Sequence, residues 1–151
     1  MSQPSTQNKQ YRIAFIQSSW HEAIVEQGKR GFLEKFNSLG LSSKLVDFYS
    51  LPGALEIPLK CKQVCEANNY DLVIAAGFVV DGGIYRHDFV ASAVLNGIMN
   101  VQLELGTPIL SMVLTPHSFD DSEQRNKFFQ DHFIIKGHEI ADAAHAILSE
   151  N

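Results

Sequence analysis

Residues 77–92 read GFVVDGGIYRHDFVAS, which places Arg86 and His87 side by side next to Asp88, just before a segment of helical spacing. Histidine ionises near neutrality, so His87 has the chemistry of a general acid or base. Arg86 beside it can neutralise an anion that develops during a reaction. Just upstream, Gly82 and Gly83 precede the helix start. Backbone N–H groups without side chains, together with the helix dipole, suit a phosphate. The same residues also fit a plain solvated helix start, and at this level both readings stand.

Other stretches carry chemistry of a different kind. Ser18-Ser19-Trp20-His21 follows an apolar run, and Trp20 is the only tryptophan in the chain. An indole on a polar loop can stack on a flat heteroaromatic ring, or it can cover the core. Pro52-Gly53 reads as a tight turn, with Glu56 entering a helix where an acid favours the helix dipole. With Gly53 exposing backbone there, Glu56 can also accept a hydrogen bond from a ligand.

Much else is excluded. The six histidines, at 21, 87, 117, 132, 138 and 145, form no H-x-x-x-H or H-E-x-x-H unit, so no metal constellation emerges. Cys61 and Cys65 form C-x-x-x-C, neither a redox nor a zinc C-x-x-C, and read as two small residues on one helix face. A reducing, cytoplasmic compartment follows as the default. There is no G-x-x-x-x-G-K-S/T or G-x-G-x-x-G loop, which leaves an NTP or a dinucleotide unsignalled. The lack of G-x-S-x-G disfavours a serine hydrolase. Net charge is −5 with no basic block, arguing against nucleic acid or an anionic membrane as partner. The N-terminus lacks a secretory apolar run, and no stretch approaches the ~20 residues of a membrane helix.

Positioning these groups requires a scaffold. With 151 residues, 45% hydrophobic and 19% charged, the chain suits one domain over 11–151 behind a flexible polar arm at 1–10. Strands are expected at 12–17, 43–49, 71–80 and 108–115; the first, third and fourth are nearly continuous apolar runs, as in a parallel sheet covered on both faces. Helices are expected at 21–40, with Ile24, Val25, Phe32, Leu33 and Phe36 inward, and at 55–69, with Pro58 in the first turn. Another is expected at 87–106, with Phe89, Val90, Val94, Ile98, Val101 and Leu105 inward, and two more at 119–131 and 137–149. Alternation of strand and helix implies a three-layer, doubly wound (flavodoxin-like) α/β fold: a four-stranded parallel sheet with helices on both faces. Ligands bind beyond the carboxyl ends of such strands, which selects 17–21, 49–56, 77–87 and 113–118.

The sequence PGALEIP at 52–58 resembles the P-G-A-F/Y-E-I-P signature of the 6,7-dimethyl-8-ribityllumazine synthases. Further motifs agree in order: the aromatic helix start at 20–25, GFVVDG at 77–82, HDFV at 87–90, and KG at 136–137. GFVVDGGIYRHDFVA together with LTPH resembles the type II, decamer-forming branch.

The resemblance implies the condensation of 5-amino-6-(D-ribitylamino)uracil with 3,4-dihydroxy-2-butanone 4-phosphate in riboflavin biosynthesis, without metal or organic cofactor. It implies that Trp20 stacks on the pyrimidine, with His21 beside it, and that the backbone of Ala54, Leu55 and Glu56 holds the ribityl chain. Phe78, Val79 and Val80 would read the ring edge, Gly82, Gly83 and Ile84 would cradle the phosphate, and Lys136 would supply positive charge. Sites lie between subunits of a pentamer, so an isolated monomer would be inactive.

Several positions depart from the family pattern. Aligned without gaps, the family's proton-transferring histidine falls on Arg86, with His87 one place later. One residue along a helix turns a side chain by ~100°, so the catalytic role is assigned to Arg86 and His87 together. Leu55 stands for the usual aromatic residue, and Ser111 for a phenylalanine contributed from the adjacent subunit. The phosphate-binding arginine has no direct match in the longer 116–135 segment, where His132 or Arg125 are the candidates. NKFFQDHFIIKG lacks the glycine-rich kink of shell-forming members, so a pentamer or a dimer of pentamers is expected. Two other readings differ in class: a flavin- or lumazine-binding oligomer with little catalysis, or a flavodoxin-like FMN or signalling domain. The latter needs an acidic pocket after the first strand, where IQSSWH stands.

Overall fold

The apolar runs become parallel strands in the computed structural model, which describes residues 11–80 and 86–150. Gly82, Gly83, Ile84 and the polar arm at 1–10 therefore lie outside the described residues. Strands β1 (Ile13–Ser18), β2 (Val46–Leu51), β3 (Leu72–Phe78) and β4 (Ile109–Leu114) form one sheet in the order β2-β1-β3-β4. Every pairing is parallel. The two central strands are buried along their whole length, because helices cover both faces and leave no polar side to alternate with.

Helices α1 (Glu22–Ser38) and α4 (Glu123–Ser149) cover one face; α2 (Ile57–Asn68) and α3 (His87–Leu105) cover the other. On the first face Phe15, Phe32, Phe36, Phe78 and Phe133 make the core; on the second Ile16, Ile57, Val73, Val94 and Ile98 do so. The chain moves from β1 outward to β2, then crosses back over β1 to β3. Right-handed crossovers put α1 and α2 on opposite faces, and a crevice opens where the winding reverses, between the carboxyl ends of β1 and β3.

Three expectations need correction. Residues 43–45 form a 3-10 turn rather than the start of β2, because the Ser42 hydroxyl accepts the Lys44 N–H at 3.1 Å and closes a local turn. Phe89 does not join the inward stripe of α3: it is 63% exposed, beneath the Arg86 guanidinium at 4.3 Å. The segments at 119–131 and 137–149 are one continuous helix, α4, which begins later, where the Ser122 hydroxyl accepts the Arg125 N–H. Gly137 resembles a break in the sequence, yet it sits where α4 crosses α1. A Cβ there would fall on the Gly28 carbonyl oxygen, and one on Gly31 would fall on that of Ile134. Glycine here permits close backbone approach, and without a proline the helix runs on.

At the opposite end from the crevice, Tyr70 donates to Asp47 at 2.6 Å and Arg12 pairs with Asp47 at 2.7 Å. Since the Tyr70 proton goes to Asp47, Tyr49 donates to the Tyr70 oxygen at 2.7 Å. This network ties β1 and β2 to the start of β3. Beneath α2, burial pushes the Cys61 thiol up to about 12, which keeps it protonated and unreactive.

Candidate active site

The crevice holds a cavity of about 460 Å³ lined by Trp20, His21, Leu55, Phe78, Val79, Val80, His87 and Val90. Its position follows from the winding of the sheet, and each wall is set by local chemistry. The Ser19 N–H donates to the Leu51 carbonyl at 2.7 Å and its hydroxyl meets that of Ser50 at 3.1 Å, tying the loop after β1 to the end of β2. Trp20 thereby lies over Gly53: a Cβ on Gly53 would stand 2.8 Å from indole carbons Cε2 and Cζ2. The indole remains 45% exposed, so the face not resting on Gly53 can receive a ring.

His21 caps α1 in the left-handed conformation, φ 52°, and its carbonyl accepts the N–H groups of Ile24 and Val25. Its ring meets Phe78 and Phe119 edge-on, with centroids at 5.7 and 5.2 Å, which makes an aromatic floor. Ala54, Leu55 and Glu56 form a 3-10 turn after β2. Ala54 is buried, Leu55 projects into the cleft, and Glu56 Oε1 accepts the Gly53 N–H at 2.8 Å, fixing the turn under Trp20. On the far wall, Val79 donates its N–H to the Leu114 carbonyl at 2.9 Å, and its own carbonyl accepts the Thr115 hydroxyl at 2.6 Å. The Val79 N–H is thus committed to the sheet, which holds the rim of the cleft rigid.

The two neighbours at the start of α3 part company. His87 lines the cleft, and its Nδ1 is buried with no hydrogen-bond partner among the described residues. Arg86 does not line the cleft. Its Nη2 pairs with Asp88 Oδ2 at 2.8 Å, its guanidinium covers Phe89, and the Asp88 carboxyl is held below the usual carboxylate range by that donor. Arg86, His87 and Asp88 line a second cavity of about 420 Å³ with Thr115, Pro116 and His117. His87 is common to both chambers.

Ser111, His132 and Lys136 line neither chamber. Ser111 lies within β4, where its hydroxyl accepts the Val113 N–H at 3.2 Å. On α4, His132 is stacked on Phe128, and Lys136 pairs with Glu139 at 3.2 Å. Arg125 reaches back to the Ser118 carbonyl at 2.9 Å. Val90 is a lining residue that the sequence did not single out for the site, whereas Thr115, Pro116 and His117 were reached only as part of the strand end 113–118, with no role of their own. Val90 was legible, since it lies three residues after His87 on the same helix face; His117 comes near only through the pairing of β3 with β4. Among the described residues no group of three or more His, Cys, Asp or Glu side chains is placed to hold a metal ion.

A flavodoxin-like α/β domain with an aromatic cleft at its topological switch point, and a histidine at the start of the next helix, is a binder or converter of a flat heteroaromatic molecule. A family model described as 6,7-dimethyl-8-ribityllumazine synthase matches residues 10–151, and the chain belongs to that family. It is 48% identical over 135 residues to a 6,7-dimethyl-8-ribityllumazine synthase of Rhodococcus erythropolis, covering 89% of this chain and 87% of the relative. It is 46% identical over 130 residues to a 6,7-dimethyl-8-ribityllumazine synthase 2 of Pseudomonas syringae pv. tomato, covering 86% and 76%. A third relative, 6,7-dimethyl-8-ribityllumazine synthase 2 of Bradyrhizobium diazoefficiens, is 43% identical over 135 residues, covering 89% and 81%.

Proposed function

We propose that the aromatic cleft is where this chain forms 6,7-dimethyl-8-ribityllumazine, and that His87 rather than Arg86 transfers the protons. As a member of the family, the chain acts in riboflavin biosynthesis. It condenses 5-amino-6-(D-ribitylamino)uracil with 3,4-dihydroxy-2-butanone 4-phosphate, losing water and inorganic phosphate. An amine of the first substrate attacks the ketone carbon of the second. His87 takes the proton that nitrogen loses and returns it to the oxygen that leaves as water. Trp20 stacks on the pyrimidine, Leu55 and the backbone of its turn hold the ribityl chain, and Phe78, Val79 and Val80 flank the ring. Gly82, Gly83 and Ile84 cradle the phosphate.

The observation that carries this reading is the buried Nδ1 of His87 on the wall of the cleft, without a hydrogen-bond partner among the described residues, with Arg86 turned away onto Asp88. A buried imidazole nitrogen without a partner suits a group that exchanges a proton with a ligand. Arg86 acts at a distance, as a charge facing the second chamber. The test is lumazine formation and phosphate release by purified His87→Ala and Arg86→Ala. His87→Ala is expected to lose about 10²-fold in kcat, and Arg86→Ala far less. Equal losses overturn the division of roles. Wild-type turnover no faster than the spontaneous reaction, with riboflavin quenching Trp20 more strongly than substrate analogues, favours the flavin- or lumazine-binding oligomer instead.

The family associates with itself and acts on small molecules. We assign Ser111, His132 and Lys136 to the site of a neighbouring subunit, because the exposed Ser111 on β4 and the half-buried His132 and Lys136 on α4 reach neither chamber of their own chain. A pentamer, or two stacked pentamers, is the assembly we propose; the unbroken α4 supports it. No helix among the described residues is long and apolar enough to cross a membrane. We place the reaction in the cytoplasm, which fits the two free cysteines.

A further inference from the structure

We propose that His117 is a substrate-binding residue, which with Thr115 and Pro116 walls a chamber that takes the phosphate end of the phosphorylated ketone. This rests on the reading given above, in which the backbone at 82–84 cradles the phosphate, and adds to it side-chain contacts from a different strand end. The two chambers differ in chemistry. The cleft at Trp20 is walled by aromatic and aliphatic side chains, whereas the second is lined by Arg86, His87, Asp88, Thr115, Pro116 and His117. A flat pyrimidine belongs in the first, and a short phosphomonoester in the second, which at about 420 Å³ has ample room for it. Because His87 belongs to both, an amine held in one and a ketone held in the other meet at the imidazole.

His117 is free to act there. It is exposed, and among the described residues it has no hydrogen bond, ion pair or ring partner. Thr115, two residues earlier, donates its hydroxyl to the Val79 carbonyl at 2.6 Å, so the end of β4 is pinned to the end of β3. That bond fixes the backbone from which His117 projects. Arg86 binds Asp88 through one nitrogen and retains further N–H donors for an anion. A phosphomonoester entering the chamber has both the guanidinium of Arg86 and the imidazole of His117 among its walls, two donors for charge-assisted contacts of the kind that fix an anion's orientation.

The test measures binding directly. Calorimetric titration of the phosphorylated ketone, and separately of inorganic phosphate, is carried out on assembled wild-type protein, His117→Ala and His117→Lys. The expected result is a Kd for both ligands about tenfold or more weaker in His117→Ala, with partial recovery in His117→Lys. In turnover, KM for the phosphorylated ketone rises by a similar factor, while kcat and the KM for the ribitylaminouracil stay within about threefold. Unchanged Kd values in His117→Ala overturn the proposal, as does a loss for the ketone without a loss for phosphate, since the contact is with the phosphate group. A wild type that binds the ketone through His117 but makes no lumazine leaves the chamber standing and removes the catalytic reading instead. His117 is exposed, so the fold does not depend on it; circular dichroism confirms this for each variant.

Discussion

The Trp20 indole rests on Gly53, so close that a methyl group on Gly53 would come within 2.8 Å of two ring carbons. The ring is held from below by backbone rather than by another side chain, and its open face looks into the cleft. Position 53 thus matters for the orientation of Trp20 as well as for the turn itself.

The first prediction follows from this contact. Gly53→Ala is expected to tilt Trp20 and raise the KM for the ribitylaminouracil about tenfold, in line with the loss of one stacking platform. The KM for the phosphorylated ketone should change little. Steady-state kinetics in both substrates, with the emission maximum of Trp20 as a structural check, separates the two effects.

Phe78 and His21 give a second prediction. Phe78 is fully buried and touches His21, Phe119, Phe129 and Phe133. Phe78→Ala is expected to cost about 3–5 kcal/mol of stability, read by urea denaturation at constant protein concentration. It should also loosen the floor of the cleft and weaken binding of the ring substrate.

The crossing of α1 and α4 gives the third. A Cβ at Gly31 has only the Ile134 backbone to meet, and backbone cannot rotate away. Gly31→Ala should destabilise by about 3 kcal/mol, measured as a lowered denaturation midpoint. Gly40, at φ 84° with open space around it, should by contrast tolerate replacement by Asn, which accepts that conformation.

Asp47 supplies a pH dependence. The Tyr70 hydroxyl, then Arg12, hold its carboxyl below the ordinary carboxylate range. A group whose pKa is lower in the folded chain stabilises above its unfolded pKa and loses that contribution as pH falls through the folded value. Asp47→Asn should therefore melt a few degrees below wild type at neutral pH. The gap should close in acid, as the wild-type Asp47 takes up its own proton. Thermal melts of both proteins from pH 7 down to about pH 3 check the sign.

How far the sequence reaches is shown by particular elements. The buried runs at 13–18 and 72–78 were legible as parallel strands because continuous apolar sequence admits few other environments. Pro58 and Gly106 marked a helix start and end through local backbone preference, and both stand where those preferences put them. PGALEIP and Trp20 marked one wall of the cleft, since both follow strands whose carboxyl ends must face the ligand. The continuity of α4 was harder: Gly137 looks like a break, and only the packing of α1 against it shows the glycine serving close approach.

Composition, periodicity and motif order by themselves determined the α/β class, the family and the strand ends that carry the chemistry. These depend on interactions between residues close in the chain. Which of Arg86 and His87 lines the cleft needed the tertiary structure. Both begin the same helix, and which of them faces the cleft depends on how α3 is rotated against β3 and on Asp88 drawing Arg86 aside. His117 lay within the strand end 113–118 that the sequence selected, but its place beside Arg86 and His87 follows from the parallel pairing that brings the end of β4 next to that of β3. Side-chain direction is set by packing between elements distant in sequence, and no local pattern encodes it.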